Sequence, residues 1–283
     1  MTPTLVRQHR PHSGPHPRVD PRARARDWSE IQERMLVPLY EAVYERLDVG
    51  PATRLLGLGC GSGLALLMAR SRGAAITGTD PSSPERLALA RERLLPADPG
   101  APAPGLARIV EYTGLAAGAD ETPRYTLVTA FEPVGCVEGD AEVLGELLAP
   151  TTRMADRGAA VVLTGWGPPE RCATSTVLRS LLGPADPARC AGGWRGARRD
   201  DLEDIARRAG LRADGSGRVT CVFGYADLDS AVRGLMSTGL FDAAVGDREQ
   251  VDKELSEALH PYRRPDGTVW MPNVFRYLIA RVP

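Results

Sequence analysis

The fold is decided by the stretch RLLGLGCGSGLALLMARSRGAAITGTD, which runs from Arg54 to Asp80. An apolar run typical of a buried strand is followed by the closely spaced glycines Gly59, Gly61 and Gly63, a helical pattern and a second apolar run. Glycine permits tight turns and lets a ligand approach the backbone closely. The helix that follows would offer free N–H groups and the positive end of its dipole to an anion. The stretch therefore predicts a strand–loop–helix–strand unit that binds a nucleotide-type cofactor.

Two features narrow the kind of cofactor site. The glycines follow a GxGxG spacing, whereas the dinucleotide fingerprint would need a glycine at Leu64, and the Gly-Lys-Ser/Thr ending of a P-loop is absent. Asp80 lies where the second strand is predicted to end, and a carboxylate at that place can accept hydrogen bonds from both hydroxyls of a ribose. The alternative explanation is an ordinary tight turn followed by a strand-end aspartate.

Strand and helix patterns alternate from this stretch onward. We predict strands over residues 54–59, 75–80, 108–112, 126–131 and 159–164, with helices near 63–71, 84–95 and 139–149. Such alternation predicts a doubly wound, mostly parallel α/β sheet. The later part of the chain is predicted to contain a helix over 199–210, a strand over 218–225, helices near 226–238 and 247–259, and a closing strand over 269–282.

The composition of successive segments divides the chain into four parts. Residues 1–26 are rich in proline, arginine and histidine and are predicted to be a disordered tail. Residues 27–50 show helical spacing, which Pro38 is expected to divide into two helices. Residues 51–165 form the predicted cofactor-binding core, and residues 166–283 are expected to complete the sheet and to add helices that cap the substrate.

The overall composition is that of an ordinary globular protein. The 283 residues are 43% hydrophobic and 25% charged, and no apolar run reaches the roughly 20 residues that span a bilayer. The beginning of the sequence lacks the apolar core of a secretory signal, so a cytoplasmic location is expected. With 36 acidic and 35 basic residues, no nucleic-acid partner is expected. The five cysteines are scattered, and neither a metal site nor a disulfide framework is predicted.

The glycine loop and its spaced acid resemble motif I and the following acidic motif of the class I S-adenosylmethionine-dependent methyltransferases. Longer stretches, including WSEIQERMLVPLYEAV and YRRPDGTVWMPNVFRYLIA, resemble a bacterial small-molecule branch that is often found in actinobacterial specialised metabolism. The resemblance implies a Rossmann-like, doubly wound, seven-stranded sheet whose last strand is antiparallel, with N-terminal helices and a helical cap. It also implies a role in natural-product or antibiotic biosynthesis.

The resemblance assigns cofactor contacts to particular positions. Asp80 would hold the ribose of S-adenosylmethionine, and S-adenosylhomocysteine would be the product. Leu115 and Pro81 would lie beside the adenine. The remaining expected contacts, which include those along the methionine part, are Gly59, Cys60, Gly61, Gly63, Gly114 and Phe131.

Three positions depart from the pattern of the family. The family usually has an acid where this chain has Gly57, an acid near Gly114 and an aspartate at Thr126. A lost charge-assisted hydrogen bond costs about 1.5–3 kcal/mol when buried. The sequence therefore predicts a cofactor site that is preserved in outline but has fewer polar contacts.

Methyl transfer needs a nucleophile and a methyl group in line, and it needs no nucleophilic side chain from the protein. A general base helps when the substrate must lose a proton. The first candidate is Glu132, at the end of the fourth predicted strand, where ligands of open α/β sheets bind. The second candidate is His260, which could instead complement the dipole of the helix before it.

The sequence leaves three functions open. The first is methyl transfer from S-adenosylmethionine to oxygen, nitrogen or carbon of a small specialised metabolite. The second is a methyltransferase-like enzyme that catalyses cyclisation or another rearrangement, which the three missing acids favour. The third is a non-catalytic binding protein. The N-terminal helices are compatible with a homodimer or with a cap over the pocket, and no membrane partner is expected.

Overall fold

The computed structural model describes residues 20–95, 107–116, 124–182, 194–242 and 248–283. Within these residues seven strands form one sheet. The strands are β1 (Arg54–Leu58), β2 (Ala75–Thr79), β3 (Ala107–Ile109), β4 (Tyr125–Val134), β5 (Ala155–Trp166), β6 (Arg212–Tyr225) and β7 (Val269–Arg281). Their order across the sheet is β3-β2-β1-β4-β5-β7-β6. The first five strands are parallel, whereas β7 is antiparallel to both β5 and β6.

Helices connect these strands in the manner of a doubly wound sheet. They are α1 (Pro21–Asp27), α2 (Val37–Arg46), α3 (Leu64–Ser71), α4 (Pro84–Leu94), α5 (Tyr112–Ala116), α6 (Asp140–Thr152), α7 (Ala173–Leu182), α8 (Asp201–Arg208), α9 (Leu228–Met236) and α10 (Arg248–Ala258). The chain leaves β1 toward β2 and β3 on one side and returns to β4 on the other side. This reversal opens a crevice at the carboxyl ends of β1 and β4, where such sheets bind ligands.

Both faces of the sheet are buried. Along β1, Leu55 belongs to one apolar cluster, while Leu56 and Leu58 belong to the cluster on the opposite face. Leu66 of α3 packs in the first cluster, and Leu148 of α6 packs in the second. Burial on both sides explains why the strands read as continuous apolar runs instead of alternating patterns. None of the described helices is long and apolar enough to cross a membrane.

The N-terminal segment corrects one prediction and confirms another. Residues 21–26, assigned to a disordered tail, form most of α1, which Asp20 caps by accepting a hydrogen bond from the N–H of Arg22. Residues 1–19 lie outside the described residues. Between α1 and α2 the chain forms a π-helical turn and a 3-10 turn, and α2 begins one residue before Pro38. The helix boundary predicted at this proline is therefore confirmed, but the two turns stand in place of the first predicted helix.

Other predicted boundaries needed correction. The third strand ends at Ile109, and Tyr112 begins α5, where the N–H of Gly114 closes a turn on the carbonyl of Glu111. The strands β4, β5 and β6 are longer than predicted because they pair along most of their length with a neighbour. The helix α7 was not predicted. Its first residues, ATSTV, include four residues of low helix propensity, so burial against the core holds it in place.

Candidate functional site

The glycine loop between β1 and α3 has the conformation that its sequence requires. Gly59, Gly61 and Gly63 have φ values of +60°, +58° and +85°, a left-handed region that favours glycine. A Cβ on Gly61 would lie 2.9 Å from both Trp28 Nε1 and Glu33 Oε1. The backbone is therefore approached closely by side chains of the N-terminal segment.

Glu33 caps the loop and the start of α3. Its buried carboxylate accepts hydrogen bonds from the N–H groups of Ser62 and Leu64 at 3.1 and 3.2 Å, and from the hydroxyl of Ser62. Arg93 Nη1 donates to the same carboxylate at 3.0 Å. The residue at the N-cap position, Gly63, has no side chain, so Glu33 supplies the negative charge that a helix N-terminus favours. No spacing pattern in the sequence points to Glu33.

Asp80 braces the loop from the other side. Its carboxylate accepts hydrogen bonds from the N–H of Gly61 at 3.1 Å, the N–H of Ser82 at 2.9 Å and the hydroxyl of Ser82 at 2.5 Å. The residue is only 3% exposed. Because each carboxylate oxygen can accept two hydrogen bonds, the oxygen that faces Gly61 has one acceptor position left. The role of Asp80 toward a ribose stays a prediction.

The space beside Gly57 is filled by a leucine. A Cβ on Gly57 would lie 3.0 Å from Leu66 Cδ2, and a Cβ on Gly78 of the neighbouring strand would lie 2.4 Å from Leu66 Cδ1. An acid at position 57 would therefore meet an apolar side chain that already occupies its place. Position 57 has no side chain, and Leu66 packs into the space where one would lie.

Glu132 lies over the glycine loop. It stands near the end of β4, and its Oε2 is 3.3 Å from the position of a Cβ on Gly59. The side chain is 50% exposed and faces the cavities at this edge of the sheet. Desolvation raises the pKa of the Glu132 carboxyl above its usual range; Arg86 opposes this effect, and Asp80 and Asp140 add to it.

Arg86 of α4 connects Glu132 to Trp28. Its guanidinium is buried, donates to the carbonyl of Ser237 at 2.7 Å and lies 4.0 Å from the centre of a Trp28 ring. Its Nη1 is 3.9 Å from Glu132 Oε1. The indole N–H of Trp28 is buried and has no hydrogen-bond partner among the described residues. The Arg86–Glu132 pair and the unpartnered N–H of Trp28 therefore lie close together beside the glycine loop.

Two neighbouring cavities, which share part of their lining, open at this edge of the sheet. The first holds about 20 Å³ beside the loop, and the second holds about 350 Å³. Both are lined by Trp28, Leu36, Leu58, Gly59 and Glu132. The walls of the larger cavity are mostly apolar and include Leu58, Val134, Leu144, Trp166, Phe223 and Phe275. A more polar cavity of about 300 Å³ adjoins it and is lined by Arg24, Ser82, Glu85, Arg86, Glu132 and Asp242.

The larger cavity has an aromatic wall and one polar corner. The rings of Trp166 and Phe275 lie 4.6 Å apart between centroids, and Phe223 packs against both. At the corner, Asp140 Oδ2 accepts N–H groups of the loop that begins at Gly135, at 2.7 to 3.2 Å. The other oxygen, Oδ1, is buried without a partner in the described part of the chain. It can accept a hydrogen bond from a ligand.

Several predicted contacts lie outside these cavities. Leu115 is buried in the core cluster of the α6 face, and a Cβ on Gly114 would meet nothing within 4 Å. Pro81 is exposed, and Gly63 packs near Leu94 and Ala90 of α4. These four residues do not line the three cavities described above, and neither does the buried Asp80.

Phe131 and Cys60 line only the small cavity. The ring of Phe131 packs against Tyr40 and Tyr44, with centroids 4.7 and 5.6 Å apart. Burial raises the pKa of the Cys60 thiol, which makes it a packing residue and not a nucleophile.

Neither His260 nor Thr126 is brought to the site. His260 is exposed in a 3-10 turn that follows α10, and it lines none of the three cavities. Its predicted role as a base has no geometric support. Thr126 lies at the opposite end of β4, where its hydroxyl accepts the N–H of Arg54 at 3.0 Å.

No protein-family model and no curated protein matches the chain. Among solved structures, a candidate methyltransferase from Bacillus halodurans C-125 matches with a TM-score of 0.52 and 12% identity, over 86% of this chain and 98% of that one. The [4+2]-cyclase SpnF matches with a TM-score of 0.48 and 18% identity, over 87% and 80% of the two chains. Geranyl diphosphate methyltransferase in complex with S-adenosylmethionine matches with a TM-score of 0.45 and 14% identity, over 92% and 90%. The chain has the Rossmann-like fold of the class I methyltransferases, a seven-stranded mixed sheet with flanking helices.

Proposed function

We propose that the chain transfers a methyl group from S-adenosylmethionine to a small, largely apolar molecule, of the kind made in specialised metabolism. The observation that carries this proposal is the continuity between the glycine loop and the apolar cavity of about 350 Å³. Gly59 and Glu132 form part of its wall at one end, and Trp166 and Phe275 form part of it elsewhere. The cavity opens at the carboxyl ends of β1 and β4, where this fold binds its ligands.

The residues present fit the cofactor in their chemistry. An amino-acid end carries one positive and one negative group, and the site offers Glu132 and Arg86 beside the loop. Trp28 contributes a buried N–H without a partner among the described residues. The cavity beside the loop holds only about 20 Å³, so the side chains of Glu132 and Arg86 must separate when the amino-acid end enters.

Bound S-adenosylmethionine would supply the electrophilic methyl group. The apolar walls of the cavity would exclude water and hold an acceptor atom close to that group, which is the main requirement of an in-line displacement. Asp140 Oδ1 would accept the hydrogen bond of a substrate hydroxyl or amine, since it lacks another partner within the described residues. The role of Glu132 as a general base stays a prediction, because its position over Gly59 also suits contact with the cofactor.

A second candidate function is a rearrangement, such as a cyclisation, without methyl transfer. It is favoured by Leu66, which occupies the place of the missing acid beside Gly57, and by the small volume at the loop. In such an enzyme the apolar cavity would fold a flexible substrate, and the glycine loop would serve only the structure.

A turnover experiment separates the two functions. The purified protein is incubated with methyl-labelled S-adenosylmethionine and a panel of apolar hydroxylated and aminated metabolites. The proposal predicts a labelled product and one equivalent of S-adenosylhomocysteine for each product molecule. A product isomeric with its substrate, formed without S-adenosylhomocysteine, would replace methyl transfer with the second function.

A further inference from the structure

We propose that Glu132, Arg86 and Trp28 together bind the α-amino-acid end of the cofactor, with Glu132 replacing the acid that is missing at Gly57. This inference rests on the proposed function and names the residues that would bind the amino-acid end of the cofactor. Glu132 would accept hydrogen bonds from the α-ammonium group. Arg86 and the indole N–H of Trp28 would donate to the α-carboxylate.

Arg86 and Glu132 form a charged pair whose members are not in direct contact. Arg86 Nη1 and Glu132 Oε1 are 3.9 Å apart, beyond the 2.7–2.9 Å of a direct charge-assisted hydrogen bond. The Arg86 guanidinium is held in place by the carbonyl of Ser237 and the ring of Trp28, whereas half of the Glu132 side chain is exposed. The two charges are therefore adjacent but not in direct contact, and the more exposed Glu132 side chain can move aside to admit a zwitterion between them.

The indole N–H of Trp28 is a buried donor that has no acceptor among the described residues. The residue is 7% exposed, and its Nε1 would lie 2.9 Å from a Cβ on Gly61. A buried N–H without an acceptor is unfavourable, because it has lost its hydrogen bonds to water. A ligand carboxylate placed beside the glycine loop would remove that cost. The Arg86 guanidinium lies over the Trp28 ring, so the cation and the N–H donor are close neighbours.

The N-terminus of α3, where an anion would usually bind, is already occupied by Glu33. The N-terminus of α3 would attract a carboxylate, but Glu33 already accepts the N–H groups of Ser62 and Leu64. The ligand carboxylate therefore needs donors outside the helix N-terminus. Arg86 and Trp28 are two donors that line the small cavity beside the loop, and Arg86 is the one that carries a positive charge.

Glu132 is the carboxylate that we assign to the α-ammonium group. Leu66 occupies the space beside Gly57, so that face of the loop offers no acid. Glu132 approaches the loop from the end of β4 and places Oε2 3.3 Å from a Cβ position on Gly59. A carboxylate is thus present within the same small cavity, although it comes from a different strand.

The test compares two ligands that differ only at the amino-acid end. S-adenosylhomocysteine carries the zwitterion, whereas 5′-methylthioadenosine has the same thioether nucleoside without it. Calorimetric titration of the wild-type protein is expected to give an affinity for S-adenosylhomocysteine that is at least about tenfold higher. In Glu132→Gln this preference is expected to fall by about tenfold, while the affinity for 5′-methylthioadenosine changes by less than about twofold.

Two further variants make the result specific. Glu138→Gln makes the same chemical change at an exposed residue that lines neither cavity, and it should leave both affinities unchanged. Trp28→Phe keeps an aromatic ring under Arg86 but removes the N–H, and it should weaken binding of S-adenosylhomocysteine alone.

The outcomes distinguish this inference from the proposed function. If the wild-type protein binds neither ligand, the proposed function fails, and the inference fails with it. If both ligands bind but Glu132→Gln and Trp28→Phe leave their ratio unchanged, only the inference is overturned. Equal wild-type affinity for the two ligands also overturns the inference and leaves the proposed function standing.

Discussion

The carboxylate of Glu33 accepts a hydrogen bond from the N–H of Leu64 at 3.2 Å, so a residue of the N-terminal segment caps a helix that begins 31 positions later. Through Ser62 and Arg93 the same carboxylate joins the glycine loop to α4. The N-terminal segment is therefore joined to the glycine loop and is not a separate appendage.

Removing this carboxylate should destabilise the whole protein. Glu33→Ala leaves the N–H groups of Ser62 and Leu64 without their acceptor and Arg93 without its counter-charge. We expect the free energy of unfolding to fall by on the order of 3 kcal/mol, measured by denaturant titration. The control is Glu30→Ala, at an exposed position of the same segment, which should change stability by less than about 0.5 kcal/mol. Equal effects of the two variants would remove Glu33 from this role.

Restoring an acid at Gly57 should not restore a normal site. In Gly57→Asp the new carboxylate would be buried against Leu66, and we expect a loss of roughly 3 kcal/mol. In the Leu66→Ala background the same change should cost at least about 1 kcal/mol less, because the space has been vacated. A double-mutant cycle of unfolding free energies measures this coupling. Additive losses would contradict the packing described here.

The glycine at position 61 should be required for contact and not only for its backbone conformation. Gly61 and Gly158 both have positive φ, but a Cβ on Gly158 would meet nothing within 4 Å. Gly158→Ala should therefore cost only the strain of about 1–2 kcal/mol. Gly61→Ala should lower the melting temperature further, since its methyl group would press on Trp28 and Glu33. Equal melting temperatures would show that the close approach is relieved easily.

Binding of S-adenosylhomocysteine should depend on the ionisation of Glu132. The pKa of this carboxyl is raised mainly by desolvation; Arg86 lowers it, and Asp80 and Asp140 raise it further. Because the ionised form binds the ammonium group, affinity should be constant above the raised pKa and should fall as the pH drops through it. Glu132→Gln should lack this step in a pH series of titrations. Superimposable pH profiles would assign the step to another group.

The raised pKa has an opposite consequence for stability. Since the folded state holds this proton more tightly than the unfolded state, protonation of Glu132 favours folding. That contribution is complete below the unfolded-state pKa and is lost as the pH rises through the folded-state pKa. We therefore expect Glu132→Gln to be more stable than the wild-type protein at neutral pH, with the gain disappearing at acidic pH in thermal denaturation. A gain that does not depend on pH would mean that ionisation is not its cause.

The alternation of strands and helices and the glycine loop could be predicted because both depend on local patterns. Apolar runs buried on two sides, and glycines needed for positive φ, are readable from single segments. Helix α1 was missed, although Asp20 and Pro21 form a recognisable start signal, because the arginine-rich segment has little apolar periodicity.

The polar contacts of the site could not be predicted in the same way. The contacts of Glu33 with Ser62 and of Arg86 with Ser237 join distant parts of the sequence, and no spacing rule connects them. The absence of an acid at Gly57 was visible in the sequence, whereas the leucine that fills its place was not. Glu132 was a candidate because of its place at the end of the fourth predicted strand, but its position over Gly59 required the fold.

The most direct test of the central claim is a calorimetric titration of the wild-type protein with S-adenosylhomocysteine. We expect saturable binding of one ligand per chain with a dissociation constant in the micromolar range. Absence of binding at millimolar ligand would contradict a cofactor site at this loop.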